Sequence, residues 1–299
     1  MVKVSYIVPL YNKEQYIKEC IDSILMEQTE EIEIEVCIVD DGSTDGSLSI
    51  VERYYSNESR VKLQKFIKNK GKNAACNAAY KMATGEYICL FGADDIVLLG
   101  RTEKLLACAQ KNKKAAYGGL IAKNESLSSE LFRQFPAEQN LYSITMSNGL
   151  SGGCCLIPKI LCEEIFPIPE SLKFEDWWIS YHLVKNNNHY IIKDYVTIYR
   201  IGSQNDCGSY GGDLYSNLKK DYVRHFDYLN EFEKNTDNPI IYKAIDLRKA
   251  FLGLETKKTF YFTPFDLYSI KILLYKILGA KFIYRIKGFI FLCMNGKKQ

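Results

Sequence analysis

Ile34-Glu35-Val36-Cys37-Ile38-Val39-Asp40-Asp41-Gly42-Ser43-Thr44-Asp45-Gly46 is an apolar, β-branched run that stops at a cluster of acids and turn formers. Such a run is a buried strand candidate, and the acids behind it form a strand-to-helix turn. Asp45 to Tyr55 follows as a helix, with Thr44 or Asp45 placed to cap it. On the N-terminal side, Val4 to Val8 is a second buried strand. Glu14 to Met26 carries Tyr16, Ile17, Cys20, Ile21, Ile24 and Leu25 at helical spacing. On the C-terminal side, Val61 to Phe66 and Glu86 to Phe91 read as strands around a helix from Lys72 to Thr84. The order βαβαβαβ predicts an α/β fold with a mainly parallel central sheet flanked by helices. Such sheets bind ligands beyond the carboxyl ends of their strands, where strand order reverses. The segments Pro9 to Asn12, Asp40 to Asp45 and Gly92 to Asp95 are therefore expected to carry the chemistry.

The bulk numbers are compatible with this. With 299 residues, 47% of them hydrophobic, the chain can bury one large core or two fused lobes. A net charge of +3 argues against a dedicated nucleic-acid binder. Ten cysteines are scattered without a CxxC pair, and Val4 to Val8 is too short for a signal-peptide core and ends at Pro9. Reduced thiols in a cytoplasmic protein are expected. Beyond Phe91 the pattern is less regular. Asn148 to Cys155 is small and Gly-rich, Phe174 opens a helix running to Lys185, Asn186 to Asn188 is a turn, and Ile201 to Gly212 is expected to be a mobile loop.

Each acidic cluster has a bland and a functional side. Asp40-Asp41 can accept hydrogen bonds from a base or a ribose, or can belong to a solvated turn. Asp41, Ser43, Asp45, Gly46, Leu48 and Glu52 also match much of a calcium-loop spacing. That loop needs a helix before it, where Glu33 to Val39 reads as a strand. Asp94 and Asp95 are adjacent carboxylates at a strand end: either an ordinary surface turn, or a repulsion that a divalent cation shared with a diphosphate would relieve. Asp176 at a helix start is a helix cap or a proton acceptor. Trp177 and Trp178, the only two tryptophans, are core or a platform for a sugar ring.

Residues 2 to 205 resemble a family 2 glycosyltransferase of the GT-A fold. The pieces are Ile7-Val8-Pro9-Leu10-Tyr11-Asn12, Val39 to Asp45, Asn69-Lys70-Gly71 with Asn77, Ala83 to Ile88, Ala93-Asp94-Asp95, Glu175-Asp176 and Tyr199-Arg200. The resemblance implies a nucleotide-diphospho-sugar transferase acting with inversion. It puts the donor, a UDP-sugar, on Pro9, Tyr11, Asp41, Asn77 and Asp94, with Lys72 as an added cation. It puts Mn2+ or Mg2+ on Asp94 and Asp95, the catalytic base at Asp176, and the acceptor beside Glu175 and Trp177. The family often has Asp where Gly92 stands and Arg where Cys76 stands, and no His follows Arg200 in the loop. A catalytically inactive, sugar-nucleotide-binding relative is the alternative.

The implied division is a catalytic domain over 1–212 and a helical extension over 213–299. Within the first, 1–95 is the nucleotide-sugar half and 96–212 the acceptor half. After Asp266 there is no acid; Lys271, Lys276, Lys281, Arg285 and Lys287 alternate with apolar residues such as Leu273, Phe282 and Phe289. That composition suits a helix on an anionic membrane surface through 267–299, or an ordinary helical cap. The corresponding expectation is a protein peripheral to the inner face of the cytoplasmic membrane, with a saccharide or lipid-linked acceptor.

Overall fold

The computed structural model describes residues 1–202, 214–234 and 238–252, and the single positions Leu254, Tyr275, Leu278 and Gly279. The chain begins β1 (Val2–Leu10), α1 (Ile17–Leu25), β2 (Ile32–Asp40), α2 (Ser47–Tyr55), β3 (Val61–Lys65), α3 (Lys72–Met82) and β4 (Tyr87–Leu90). These four strands lie in the order β3-β2-β1-β4, all parallel. β1 and β2 are near-continuous apolar runs because helices cover both faces of a parallel sheet. From α1, Ile17, Cys20, Ile21 and Ile24 pack onto Val4, Tyr6, Val8 and Ile38 of the sheet.

The remainder of the first unit is more regular than its sequence pattern. It contributes β5 (Ile96–Val97), α4 (Arg101–Asn112), β6 (Ala115–Asn124), β7 (Glu130–Gln134), α5 (Leu141–Met146), β8 (Cys155–Pro158), α6 (Asp176–Lys185) and β9 (His189–Ile201). The sheet continues β4-β8-β6-β9-β5, with β7 added beside β6. In this half β6 and β9 pair in parallel and the other pairings are antiparallel, so the nine-stranded sheet is mixed.

Pro9 sits inside β1 without breaking it. Leu10 O accepts from Asp41 N on the β2 side, while Ile7 O accepts from Phe91 N on the β4 side. Pro9 has the parity of Ile7, and the β1–β4 pairing ends at Ile7 and Leu90. Its missing N–H therefore falls beyond the ladder and no hydrogen bond is lost.

Chain contacts divide the protein into Met1–Asp206 and Cys207–Gln299. The second unit holds α7 (Leu214–Lys234) and α8 (Pro239–Leu252). Tyr228, Leu229 and Phe232 on α7 and Ile241, Ala244 and Leu247 on α8 are buried. The loop expected after Ile201 falls on 203–213, outside the described residues, as does all of 267–299 except Tyr275, Leu278 and Gly279. Among the described residues no helix is long and apolar enough to cross a membrane. The eight described cysteines carry free thiols, and all but Cys108 are buried.

Candidate active site

The chain winds from β1 outward through β2 to β3 and then returns to β4 on the other side of β1. That reversal opens a crevice at the carboxyl ends of β1 and β4. A cavity of about 510 Å3 lies there. Pro9 to Lys13 line it from the end of β1, Asp41 from the end of β2, Asn69, Gly71 and Lys72 from the start of α3, and Gly92 to Asp94 from the end of β4. Lys173 and Phe174 line it from the segment before α6.

Asp41 is 2% exposed. Its two carboxylate oxygens accept from the backbone N–H groups of Lys70, at 2.6 Å, and Gly71, at 2.9 Å. Burial pushes its carboxyl above the usual range, and the two donors partly offset that. Gly42 is required beside it: φ is +71°, and a Cβ there would stand 2.7 Å from the Lys68 carbonyl carbon. Asp45 has a different task. Its carboxylate accepts from Glu14 N and Ser47 N and braces the turn before α2; the helix begins at Ser47, two residues later than its apolar spacing implies, and its N-cap is Gly46, without a side-chain cap, in place of the expected Thr44 or Asp45. Glu52 pairs on the surface with Lys65. With β2 in front of the loop and Asp41 turned to the cavity, the calcium-loop spacing is fortuitous.

The second acidic pair divides its work. Asp94 lines the cavity, and its Oδ2 is 2.7 Å from Lys13 Nζ. Asp95 is buried, and its Oδ1 accepts from Arg200 N at 3.0 Å. Burial and the neighbouring Asp94 raise the Asp95 pKa. Of the remaining oxygens, a Cβ on Gly92 would lie 2.8 Å from Asp95 Oδ2 and 3.1 Å from Asp94 Oδ1. Both oxygens lie beside Gly92, and Asp94 lines a cavity able to admit a diphosphate; two carboxylate oxygens so close to a diphosphate are the hard ligands that a Mg2+ or Mn2+ ion takes, with phosphate oxygens and water completing its shell. Among the described residues no cluster of three or more His, Cys, Asp or Glu adds further ligands. Arg200 braces this loop. Its guanidinium donates to Asp94 O, Glu125 O and Glu19 Oε2, and stacks over Tyr16.

Asp176 begins α6, and its Oδ1 accepts from Trp177 N at 2.7 Å. Burial and the adjacent Glu175 push its pKa up to about 6, against the pull of Lys72. Glu175 Oε1 is 2.9 Å from Lys72 Nζ, and Glu175 Oε2 is buried without a hydrogen-bond partner. Burial works against the charge on Lys72, but Glu175, Cys76 and Asp176 outweigh it and raise its pKa. Lys72 thus lines the cavity and touches the acid before Asp176. The Gly-rich turn at Gly152 lies under Asp176; a Cβ there would sit 3.2 Å from Asp176 Cβ.

Two expected site residues stand elsewhere. Asn77 does not line the cavity. Its amide is bonded at both ends to the backbone of Ile168, donating to the carbonyl at 2.8 Å and accepting from the N–H at 2.7 Å. Asn73, one turn earlier, donates to Pro169 O and Leu172 O. Together they clamp the segment leading to Glu175 and Asp176. Trp177 is 5% exposed and its indole N–H donates to Ile144 O, so its ring faces pack inside the protein instead of offering an open platform. Trp178 is equally buried and donates to Ile165 O.

Lys13, Lys173 and Phe174 carried no motif signal. Arg200 had only the Tyr199-Arg200 pair, which marked a position but no task.

A sequence model of glycosyl transferase family 2 matches residues 5–164. The chain belongs to glycosyl transferase family 2. This family 2 chain is similar to the poly(ribitol-phosphate) beta-glucosyltransferase of Bacillus spizizenii, 37% identical over 97 residues, which is 32% of this chain and 15% of that relative. It therefore spans a small part of that relative's length. Among solved structures, Staphylococcus aureus TarS 1–349 in complex with UDP-GlcNAc superposes with a TM-score of 0.59 at 22% identity, over 93% of this chain and 81% of that one. The Pyrobaculum calidifontis mannosyltransferase PcManGT, in complex with GDP-Man and Mn2+, gives 0.55 at 18% identity, over 84% of this chain and 70% of that one. Those likenesses identify the GT-A fold.

Proposed function

We propose that this family 2 chain transfers a sugar, with inversion, from a nucleoside-diphosphate sugar to a hydroxyl of a saccharide or lipid-linked acceptor. One observation carries the proposal. Asp41, Lys72 and Asp94, from three separate segments, meet at one cavity at the strand-order reversal, and Lys72 links that cavity to Glu175 and Asp176.

In this scheme the backbone at Pro9 to Tyr11 and the carboxylate of Asp41 hold the base. Each Asp41 oxygen keeps a second lone pair beyond its backbone bond. A UDP-sugar is the preferred donor, in keeping with the UDP-GlcNAc bound by TarS. Asp94 Oδ1 and Asp95 Oδ2 would hold Mn2+ or Mg2+, which when bound offsets charge growing on the leaving diphosphate. Asp176 accepts the proton of the acceptor hydroxyl. The acceptor oxygen then bonds to the anomeric carbon as the bond to the diphosphate breaks, and the nucleoside diphosphate leaves with the electron pair. A carboxylate titrating at about 6 is a stronger base than an ordinary one and is still ionised at neutral pH. Trp177 supports the start of α6 through Ile144, and Glu175 sets the charge beside the base. The acceptor would belong to a bacterial surface polysaccharide; the Bacillus relative is named for glucosyl transfer and poly(ribitol-phosphate). An anionic membrane surface, met through 267–299, would bring a lipid-linked acceptor to the site.

The test is a screen of UDP-, GDP- and other nucleotide sugars with Mn2+ or Mg2+, scoring release of the nucleoside diphosphate with and without acceptors. Asp176→Asn should bind the productive donor and lose transfer. Tight donor binding with no turnover on any acceptor would point instead to an inactive sugar-nucleotide binder. An unimpaired Asp176→Asn enzyme would remove Asp176 as the base.

A further inference from the structure

We infer that Lys13 is a counter-ion shared between the acid loop and the donor: it pairs with Asp94 when the site is empty of donor and with the donor's diphosphate when it is filled, so that Lys13 couples donor binding to metal binding. The inference rests on the nucleoside-diphosphate site proposed above.

Lys13 Nζ lies 2.7 Å from Asp94 Oδ2, with side chains 15% and 17% exposed. A pair so little exposed is screened less than a surface pair. The root of the lysine is fixed. Lys13 N donates to Ser47 Oγ at 2.7 Å, and its neighbours Asn12 and Glu14 donate through their backbone to Ser43 Oγ and Asp45 Oδ2. The four-carbon stem is thus the movable part. Both Lys13 and Asp94 line the cavity.

Asp94 Oδ1 and Asp95 Oδ2 both lie beside Gly92. A divalent ion on those two oxygens would be a near neighbour of the Lys13 ammonium, and like charges repel strongly where water is scarce. Without donor, Lys13 therefore opposes the metal. A diphosphate entering the cavity meets two positive charges at once, takes the ammonium from Asp94 and removes the repulsion. Each ligand then strengthens the other, and linkage requires that the factor be the same in both directions. The missing side chain at Gly92 makes this arrangement more consequential, because a third carboxylate would have diluted the repulsion.

The test uses the full chain, with free Mn2+ counted by its EPR signal and UDP binding measured by calorimetry. For the wild type, UDP tightens Mn2+ binding by a clear factor. Lys13→Met should raise Mn2+ affinity in the absence of UDP by about threefold or more, and lower UDP affinity at saturating Mn2+ by about tenfold, so that the mutual factor shrinks. Lys13→Arg should keep the wild-type factor. Lys13→Gln, which retains a polar tip, should repeat the Met result if thermal melting shows that Met disturbs the fold. Wild-type coupling with indifferent Met and Gln variants overturns the inference alone. A wild-type chain that binds neither UDP nor Mn2+ overturns the donor site and this inference with it.

Discussion

Asn77→Leu separates two tasks that an amide at this position can perform. Asn77 sits on α3 with its side chain bonded to Ile168 at both ends, at 2.8 and 2.7 Å, in a buried setting. Leucine fills a similar volume but leaves the Ile168 N–H and carbonyl without partners. A buried backbone group stripped of its partner costs about 1–3 kcal/mol. Two such groups give about 2–6 kcal/mol, from which the added apolar burial removes about 1–2 kcal/mol. The expected loss is therefore about 3 kcal/mol. Urea unfolding followed by tryptophan fluorescence measures it cleanly, since the only two tryptophans, Trp177 and Trp178, stand just beyond the clamped segment. UDP affinity of the folded variant, measured by calorimetry, should remain within about threefold of wild type, well under the 1.4 kcal/mol of a tenfold change. The opposite pattern, with stability nearly unchanged and UDP affinity reduced tenfold or more, would refute the clamp and return Asn77 to the donor.

Three further outcomes are expected. If Asp176 is the base, kcat falls tenfold per unit below an apparent pKa of about 6 and is flat above it, so an acid limb near 4 in a pH–rate profile would contradict the burial argument. Glu35 is buried, and despite that burial its bonds from Lys62, Ser5 and Thr84 hold its pKa down to about 2. A depressed carboxylate stabilises the fold above its unfolded pKa and loses that contribution as pH falls toward 2, so Glu35→Gln should lower the thermal midpoint at pH 7 and narrow the gap to wild type at pH 3; a constant gap would show that charge is not the cause. Replacing Lys281, Arg285 and Lys287 with Gln in the full chain should reduce co-flotation with anionic vesicles, and unchanged flotation would exclude these charges as a membrane contact.

The first half of the fold was legible because its strands are buried on both faces and its helices carry a strong apolar stripe. The acids at strand ends were legible because they interrupt an apolar run at the edge where such a sheet opens to ligands. The second half was not. β6 contains Gly118-Gly119, a pair that weakens any strand pattern, yet a Cβ on Gly118 would stand 2.6 Å from Val196, so the glycine allows β9 to approach. The register shifts at that same place. β9 alternates unevenly between buried and half-exposed positions and gives no clear period. The ion pair of Lys13 with Asp94 and the bracing of that loop by Arg200 join distant segments, and such contacts have no local signature. Asn77 shows the limit of motif matching: the position was found, but which way an amide spends its hydrogen bonds depends on a backbone 91 residues away.

The clamp by Asn73 and Asn77 grips only main-chain atoms of Ile168, Pro169 and Leu172. Glu170, Ser171 and Lys173 are exposed between and beside those grips. These three side chains, of which Lys173 lines the cavity, can be varied while the path of the strap stays pinned.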